Sequence, residues 1–347
     1  MELALAEIVV SPLAMPLSDF IIKLEVVANT LIIKTTVPLS SLQDLQNDVL
    51  LAAKGADGAI QSVEFQYVAP VASNNQAGLD GVKNTIVVAS GKGGVGKSTT
   101  TVNLALALQA LGAKVGILDA DIYGPSLGLM LGVDEDARPD QKDGQYFIPL
   151  MAHGLQTISM AYLTTEKTPM AWRGPMAAGA LQQMLKQTLW HDLDFLVIDM
   201  PPGTGDIQLT LSQQLPVTGA VVVTTPQNVA VLDAQKGIEM FAKTSVPVLG
   251  VVENMSYHLC SACGNKDAIF GEGGGNKLSS DYSVPLLGAL PLLSSIRELT
   301  DSGRPTVVAT PDSHEAQAYR NIALKVSQSV AAINSQSSGP TIEISDE

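Results

Sequence analysis

The feature that most constrains the fold is a glycine-rich segment centred on residue 95. It reads GKGGVGKST and satisfies the pattern G-x-x-x-x-G-K-[ST]. A short apolar run, residues 85–90, precedes it, and a stretch of helical character follows it. Between a strand and a helix, such glycines let the backbone curl so that its N–H groups point at phosphate oxygens. The sequence therefore predicts a phosphate-binding loop, and the alternative is a glycine-rich turn that matches by chance.

The whole loop is a candidate contact surface for a nucleotide. Lys97 can reach the β- and γ-phosphates of ATP, and the Ser98 hydroxyl can ligate Mg²⁺. We therefore expect ATP and Mg²⁺ as cofactors, with Lys97 as a catalytic residue. The predicted nucleotide-binding residues of the loop are Gly91, Lys92, Gly93, Gly94, Val95, Gly96, Lys97, Ser98 and Thr99.

The second position of the loop is a lysine that an ordinary phosphate-binding loop does not need. With Lys92 the segment has the form K-G-G-x-x-G-K-[ST], which resembles the deviant Walker A class. In that class the extra lysine reaches across a dimer interface to the partner's nucleotide. The resemblance implies a homodimer in which Lys92 offsets transition-state charge in trans. A solvated lysine is the alternative.

Three carboxylates and one amide follow predicted strands of the same domain. Asp119 and Asp121 end the second strand, where ligands bind in parallel sheets. We assign Asp121 to orienting the attacking water and Asp119 to the Mg²⁺ shell; helix-capping or loop acids are the alternative. Asp199 ends an apolar run typical of the strand that supplies a Mg²⁺-binding acid. Asn254 is expected to hydrogen-bond the adenine edge.

The order of predicted elements indicates an α/β fold in two parts. Residues 1–72 read β-β-α-β, which predicts a small N-terminal α/β domain, and residues 73–82 read as a linker. In residues 83–334 short apolar strands alternate with helical stretches. This alternation predicts a P-loop NTPase with a mostly parallel sheet flanked by helices. Residues 335–347 are polar and acidic and are expected to be disordered.

Charge and hydropathy narrow the possible partners. The formal net charge of −14 disfavours nucleic acid and anionic membranes as partners. No apolar run approaches the roughly 20 residues that cross a bilayer, and the N-terminal stretch has no basic region of a secretory signal. We therefore expect a cytoplasmic protein with no membrane and no nucleic acid among its partners.

The chain has two cysteines, Cys260 and Cys263, arranged as C-x-x-C, which excludes a disulfide framework. A redox dithiol, a zinc site and an iron–sulfur cluster remain open. Both metal sites need about four ligands, and His258 is more readily a surface loop residue than a third ligand. Two chains related by a two-fold axis would supply four sulfurs. The cysteines and Lys92 thus predict the same homodimer independently.

Together these motifs resemble the Mrp/ApbC-type ATPases, the iron–sulfur cluster carrier branch of the deviant Walker A ATPases. The matching stretches occur in the expected order and span most of the chain. They are residues 91–99 (GKGGVGKST), 118–126 (LDADIYGPS), 172–176 (WRGPM), 193–211 (LDFLVIDMPPGTGDIQLTL), 224–237 (TTPQNVAVLDAQKG), 251–256 (VVENMS) and 260–275 (CSACGNKDAIFGEGGG).

The resemblance implies a carrier that binds a [4Fe–4S] cluster between two subunits, takes it from a scaffold and delivers it to apo-proteins, with slow ATP hydrolysis. By this resemblance Cys260 and Cys263 are cluster ligands. The resemblance also implies that Lys97, Ser98, Asp121 and Asn254 are nucleotide residues. The N-terminal part resembles a module often fused to the family, in a divergent form without cysteine. Two departures, Ser261 for a usual Pro and Asn228 for a common Asp, remove no ligand.

Other classes of the same superfamily fit less well. A membrane-protein targeting ATPase with a zinc bridging its C-x-x-C motifs is the main alternative, but it needs a Met-rich apolar groove, and the 11 methionines here are scattered. A septum-positioning ATPase needs a basic amphipathic C-terminal helix, and a partition ATPase needs a basic patch. A nitrogenase-type iron protein has its cluster cysteines far apart in sequence.

Overall fold

The computed structural model describes residues 2–71, 79–122, 124–163, 174–260 and 262–337. Most of the predicted linker, most of the predicted acidic tail, Ser261 and the start of the WRGPM stretch lie outside the described residues.

The N-terminal part contains a three-stranded sheet with one helix. Strands β3 and β4 form an antiparallel hairpin, and β4 pairs in parallel with β5 after the crossover through α2. At the hairpin turn Ala28 and Asn29 have φ of 47° and 67°, the positive values that suit the twist of two-residue hairpins. The elements are α1 (Glu2–Leu5), β1 (Val9–Val10), β2 (Met15–Pro16), a 3₁₀ helix (Leu17–Phe20), β3 (Ile21–Val27), β4 (Thr30–Thr35), α2 (Gln43–Ala56) and β5 (Ser62–Tyr67).

The start of α2 differs from the capping box that Ser40 and Gln43 suggest. The N-cap residue is Leu42, and it makes no side-chain capping bond. The Ser40 hydroxyl instead donates to the Phe65 carbonyl at 3.0 Å, which ties the segment before the helix to β5. No capping box forms at α2, because the helix begins after Leu42 and the Ser40 hydroxyl donates to a residue far away in sequence.

The rest of the chain alternates strands with helices. Its elements are β6 (Val82–Ala89), α3 (Lys97–Ala110), β7 (Val115–Asp119), α4 (Leu127–Met130), β8 (Gln141–Lys142), β9 (Tyr146–Phe147), β10 (Leu150–Ala152), β11 (Leu155–Ser159), α5 (Met160–Leu163), α6 (Gly174–Gln187), β12 (Leu193–Asp199), α7 (Asp206–Gln214), β13 (Gly219–Thr224), α8 (Asn228–Lys243), β14 (Val248–Leu259), β15 (Lys266–Asp267), α9 (Gly274–Tyr282), β16 (Leu286–Pro291), α10 (Ser294–Asp301), α11 (Thr306–Ala309) and α12 (His314–Ser337). Helix α12 thus includes the first residues of the segment predicted to be disordered.

A nine-stranded sheet organises this part. Its order is β10-β11-β7-β12-β6-β13-β14-β15, and β16 also pairs with β14. All neighbours are parallel except the outer pairs β10–β11 and β14–β15. Strands β12 and β7 lie on one side of β6, and β13 and β14 lie on the other. The carboxyl end of β6 is therefore the position at which parallel sheets of this kind bind ligands. The predicted α/β fold is confirmed.

The core explains why the strands read as unbroken apolar runs. β7, β12 and β13 are buried along their whole length, because helices cover both faces of the sheet. Helix α3 is buried from Thr100 to Leu108, so it has no polar face and lies inside the protein.

The N-terminal part packs directly on the sheet domain. One continuous apolar cluster contains Leu31 and Ile33 of β4 together with Ile86 of β6. The Tyr67 ring stacks on Phe195 with centroids 5.9 Å apart. That residues 1–72 fold as a separate domain therefore stays a prediction, and this shared core argues against full independence.

Removal of residues 1–71 should lower the thermal midpoint of the remaining chain by about 5 °C or more, since it uncovers part of a common core. Differential scanning calorimetry of the truncated and full chains measures this, with removal of residues 338–347 as the control. An unchanged midpoint would show that the N-terminal part is energetically independent.

Candidate functional site

The glycine-rich loop has the backbone that phosphate binding requires. It leaves the end of β6 and enters α3 at Lys97, as predicted. Gly94 and Gly96 have φ of 80° and 82°, a region that only glycine adopts without strain. A Cβ on Gly93 or Gly94 would meet no heavy atom within 4 Å, so among the described residues this side of the loop faces open space. The loop therefore fits a phosphate chain at the N-terminus of α3.

Lys97, Ser98 and Asp199 form the polar centre of the site. The Lys97 ammonium lies 2.7 Å from one carboxylate oxygen of Asp199, and both residues are buried. The Ser98 hydroxyl donates to the same carboxylate at 2.6 Å. A serine hydroxyl beside a strand-end carboxylate is the oxygen pair that holds Mg²⁺ in such NTPases. The sequence-predicted partners Ser98 and Asp199 are thus brought together.

Asp119 and Asp121 occupy different positions although they are two residues apart. The Asp121 carboxylate lies 3.8 Å from the Lys97 ammonium, at the mouth of the site. Asp119 is fully buried, and its oxygens accept the backbone N–H groups of Asp121, Ser126 and Leu127. These contacts hold the loop after β7 in place. A Mg²⁺ role for Asp119 stays a prediction, whereas its loop-positioning contacts are present.

The electrostatics of Asp119 follow from the sheet register. Asp119 and Asp199 face each other on the neighbouring parallel strands β7 and β12. Burial, reinforced by the nearby negative charge of Asp199, raises the pKa of Asp119 well above its ordinary value. The Lys97 ammonium therefore offsets the repulsion between the two facing carboxylates at this end of the sheet.

Asn254 lies against the phosphate loop. Its side-chain amide donates to the Val95 carbonyl at 2.8 Å, and only 8% of the residue is exposed. Gly96 approaches so closely that a Cβ there would lie 2.1 Å from the Asn254 amide nitrogen. The predicted contact with adenine stays untested, because the structure engages this amide nitrogen with the loop itself.

Lys92 is half-buried at the start of the loop. The Ser90 hydroxyl donates to its carbonyl at 2.9 Å, which fixes the backbone there. Its neighbour Gly91 packs on helix α8, where a Cβ would clash with the Asp233 carbonyl at 2.2 Å. Among the described residues Lys92 has no ion-pair partner within 4.0 Å.

The cysteines sit at the tip of a hairpin that the sequence does not reveal. Strand β14 runs beyond the sheet and pairs antiparallel with β15. At the tip the Cys260 N–H donates to the Asn265 carbonyl at 2.9 Å, and the Gly264 N–H donates back to the Cys260 carbonyl at 2.8 Å. Cys260 is partly exposed and Cys263 is exposed. The thiols therefore lie on a short hairpin rather than in an irregular loop.

The tip also presents backbone donors to sulfur. The N–H groups of Ala262 and then Cys263 hydrogen-bond the Cys260 sulfur and lower the pKa of the Cys260 thiol. Donors of this kind stabilise the thiolate, which is the form that binds metals. His258 lies on β14 rather than in a loop, and its Nδ1 is 3.0 Å from the Leu292 carbonyl.

Within one chain the cysteine pair is an incomplete metal site. In the ranges that the structure describes, no group of three or more His, Cys, Asp or Glu residues could hold a metal ion. Among the described residues the cysteine pair therefore lacks the further ligands that a cluster or a metal ion needs. No helix of the described residues is long and apolar enough to cross a membrane.

Comparison with known proteins bears on these two sites. A family model described as the NUBPL iron-transfer P-loop NTPase of the ParA group matches residues 81–327. The chain belongs to this family. The match covers both the phosphate loop and the cysteine hairpin, and it confirms the resemblance inferred from the motifs.

Relatives within and near this iron-transfer family are similar over most of the chain. An iron–sulfur cluster carrier protein of Pseudomonas fragi is 61% identical over 247 residues, which are 71% of this chain and 86% of the relative. The mouse iron–sulfur cluster transfer protein NUBPL is 49% identical over 253 residues, which are 72% of this chain and 79% of the mouse protein. A nucleotide-binding protein of Archaeoglobus fulgidus, solved in complex with ADP, superposes with a TM-score of 0.57 at 39% identity. The superposition covers 65% of this chain and 88% of the archaeal protein.

Two residues of this family member belong to the site although motif reasoning misses them. The Thr101 hydroxyl lies 2.6 Å from the second oxygen of Asp199, so three side chains surround that carboxylate. The buried Glu253 accepts the Gly275 N–H at 2.5 Å, at the start of helix α9. The sequence does offer a signal for Glu253, because it is a charged residue at the end of the apolar run of β14. The sequence gives no indication of the role of Thr101 other than its position one helical turn after Lys97.

Proposed function

We propose that this chain is an ATP-hydrolysing iron–sulfur cluster carrier that binds a [4Fe–4S] cluster at a homodimer interface and transfers it to apo-proteins. The observation that carries the proposal is the hairpin that presents Cys260 and Cys263 at its tip, with thiolate-stabilising donors and only two sulfurs per chain. The names of the relatives support cluster transport. A cluster scaffold as donor and apo-proteins as acceptors follow from such a role.

The nucleotide chemistry of the proposal is hydrolysis of ATP to ADP and phosphate. The loop N–H groups and Lys97 bind the β- and γ-phosphates. Ser98 and Asp199 would hold Mg²⁺, which would neutralise phosphate charge. Lys97 contacts Asp199 in the chain without nucleotide, and its flexible stem allows the ammonium to turn to phosphate oxygens when ATP binds. Asp121 orients the attacking water, and Lys92 of a second copy offsets transition-state charge.

The Asp121 assignment gives a separable prediction. Asp121→Asn should leave Mg·ATP affinity within about threefold of the unchanged chain but slow hydrolysis roughly 10²-fold, because shape is kept while charge at the water is lost. Equilibrium nucleotide binding and single-turnover hydrolysis measure the two effects. If affinity falls instead, Asp121 belongs to the Mg²⁺ shell. Thr210→Ala, on helix α7, is a control for a general loss of packing.

Cluster stoichiometry tests the shared site. After anaerobic reconstitution, iron and sulfide should each approach about two per chain, because one four-iron cluster is shared by two chains. Metal analysis combined with the mass of the assembly measures this. About four irons per monomer would contradict the shared site. One zinc per two chains without sulfide would favour the alternative, a targeting ATPase with a bridging zinc.

The surface of the chain supports protein partners over other kinds. The net charge of −14 opposes nucleic acid and anionic lipid, and a cytoplasmic location is consistent with such a carrier. The cofactors of the proposal are ATP and Mg²⁺, while the cluster is cargo.

A further inference from the structure

Strand β14 is interrupted where it passes the phosphate loop. Its pairing with β16 shifts register between Glu253 and Tyr257, so the segment 253–256 contains a bulge. Within it Met255 has φ of 55°, a left-handed conformation that is strained for a side chain of this size. Bulges of this kind re-aim a strand. We call residues 253–256 the β14 bulge.

The upstream side of the β14 bulge is fixed to the phosphate loop. Asn254 donates to the Val95 carbonyl, and no Cβ would fit on Gly96 beside it. The end of the Met255 side chain lies 3.7 Å from the same Cβ position. Asn254 therefore contacts the phosphate loop directly, and the end of the Met255 side chain lies beside Gly96.

The downstream side leads without a break into the cysteine hairpin. Tyr257 and His258 are anchored to Leu292: the Leu292 N–H donates to the Tyr257 carbonyl at 2.6 Å, and the His258 ring bonds the Leu292 carbonyl. Cys260 follows Asn254 by six positions, about 20 Å of extended chain. A single strand thus connects the loop contact to the thiols.

Glu253 prevents the β14 bulge from absorbing a displacement locally. Its carboxylate accepts the Ser256 hydroxyl and the Gly275 N–H, both at 2.5 Å, and the side chain is buried. These bonds tie the two ends of the bulge to each other and to the first turn of α9. A shift at Asn254 is therefore passed along the strand.

We propose that the β14 bulge couples the phosphate loop to the cysteine hairpin within a single chain, with Asn254 as the positioning residue. The inference rests on the proposed function only in that the loop binds nucleotide and the cysteines hold the cargo. Phosphate binding favours one loop conformation, and the Val95–Asn254 bond transmits that preference to the thiols. By reciprocity, occupation of the thiols alters nucleotide affinity by the same factor.

The two cysteines allow a test that needs no cluster. They are the only thiols in the chain, so the alkylation rate of reduced, cluster-free protein by N-ethylmaleimide reports on the hairpin alone. Saturating Mg·ADP or a non-hydrolysable ATP analogue should change this rate about fivefold or more in the unchanged chain. In Asn254→Ala the change should disappear at saturating nucleotide. Unaltered rates in the nucleotide-bound unchanged chain would overturn the proposal.

A matched control is Asn103→Ala. Asn103 is another buried asparagine at the loop, since its amide donates to the Thr99 carbonyl, but its carbonyl oxygen bonds Val307 on α11 rather than the hairpin strand. This variant should keep the nucleotide response. If Asn103→Ala and Asn254→Ala lose the response equally, the effect is a general loosening of the loop and the coupling through β14 is refuted.

Two further variants separate the alternatives. Met255→Gly should fold, because glycine adopts a positive φ freely, and should weaken the response while nucleotide affinity is kept. It also tests the coupling if Asn254→Ala is unstable. Lys114→Ala, which alters an exposed lysine outside the loop, should keep the response. A loss of ATP-over-GTP preference in Asn254→Ala with the thiol response intact would overturn the coupling and assign Asn254 to adenine. The alkylation rate is measured without a cluster, so it does not depend on cluster binding. If the unchanged chain and its variants all fail to bind a cluster, that result contradicts the carrier function and leaves the coupling test valid.

Discussion

Replacing either Cys260 or Cys263 with alanine should abolish cluster binding while leaving ATP hydrolysis at saturating ATP within about twofold of the cluster-free unchanged chain. Each chain offers two sulfurs, so a dimer of either variant retains two, too few to hold a four-iron cube. Hydrolysis persists because the phosphate loop and the hairpin tip are formed by different segments. Anaerobic reconstitution, iron and sulfide analysis, and phosphate release measure both effects on the same preparations.

His258→Ala is the control for damage to the hairpin. It alters the same strand two positions before Cys260 but removes no sulfur, and its ring is already bonded to the Leu292 carbonyl. This variant should therefore keep the cluster. A Cys260→Ala chain that still binds a full cluster, or a His258→Ala chain that loses it completely, would show that the ligand set is wrong.

The parts of the site that the sequence predicts are those with local causes. The phosphate loop needs glycine at Gly94 and Gly96 because their φ values are positive, and this requirement is visible as a motif. The strand that ends at Asp199 is buried on both faces, and it therefore reads as an apolar run that stops at a carboxylate. Fold and loop follow from such patterns without knowledge of distant contacts.

The parts that the sequence does not predict depend on residues far apart in the chain. Asn254 contacts a carbonyl 159 positions away, and nothing near it in sequence shows that partner. Ser40 bonds Phe65 rather than capping α2, since tertiary contacts override local preference. The sequence does not predict the hairpin beyond residue 256, because its strand follows a bulge and a polar stretch. These interrupt the alternation of apolar and polar residues on which strand prediction relies.

Lys97→Ala and Lys92→Ala should each lower ATP hydrolysis by about 10³-fold, for different reasons. Lys97 is buried beside Asp199, so its loss removes the phosphate contact and leaves Asp199 facing Asp119 with no cation between them. That variant should also bind ATP weakly and unfold at lower temperature. Lys92 has no ion-pair partner among the described residues, so its removal should leave stability and ATP affinity nearly unchanged. Lys114→Ala, an exposed lysine far from the loop, is the control and should hydrolyse ATP normally.

Mixing two inactive variants decides whether Lys92 acts in trans. A Lys92→Ala chain keeps Asp121, and an Asp121→Asn chain keeps Lys92, so each mixed dimer contains one complete site. If subunits exchange at random in an equal mixture, half the dimers are mixed and half their sites work, which restores about one quarter of the unchanged activity. The turnover of the mixture, compared with the sum of the separate variants, measures this complementation. Activity no higher than that sum, or normal turnover by Lys92→Ala alone, would show that Lys92 does not serve the partner's nucleotide.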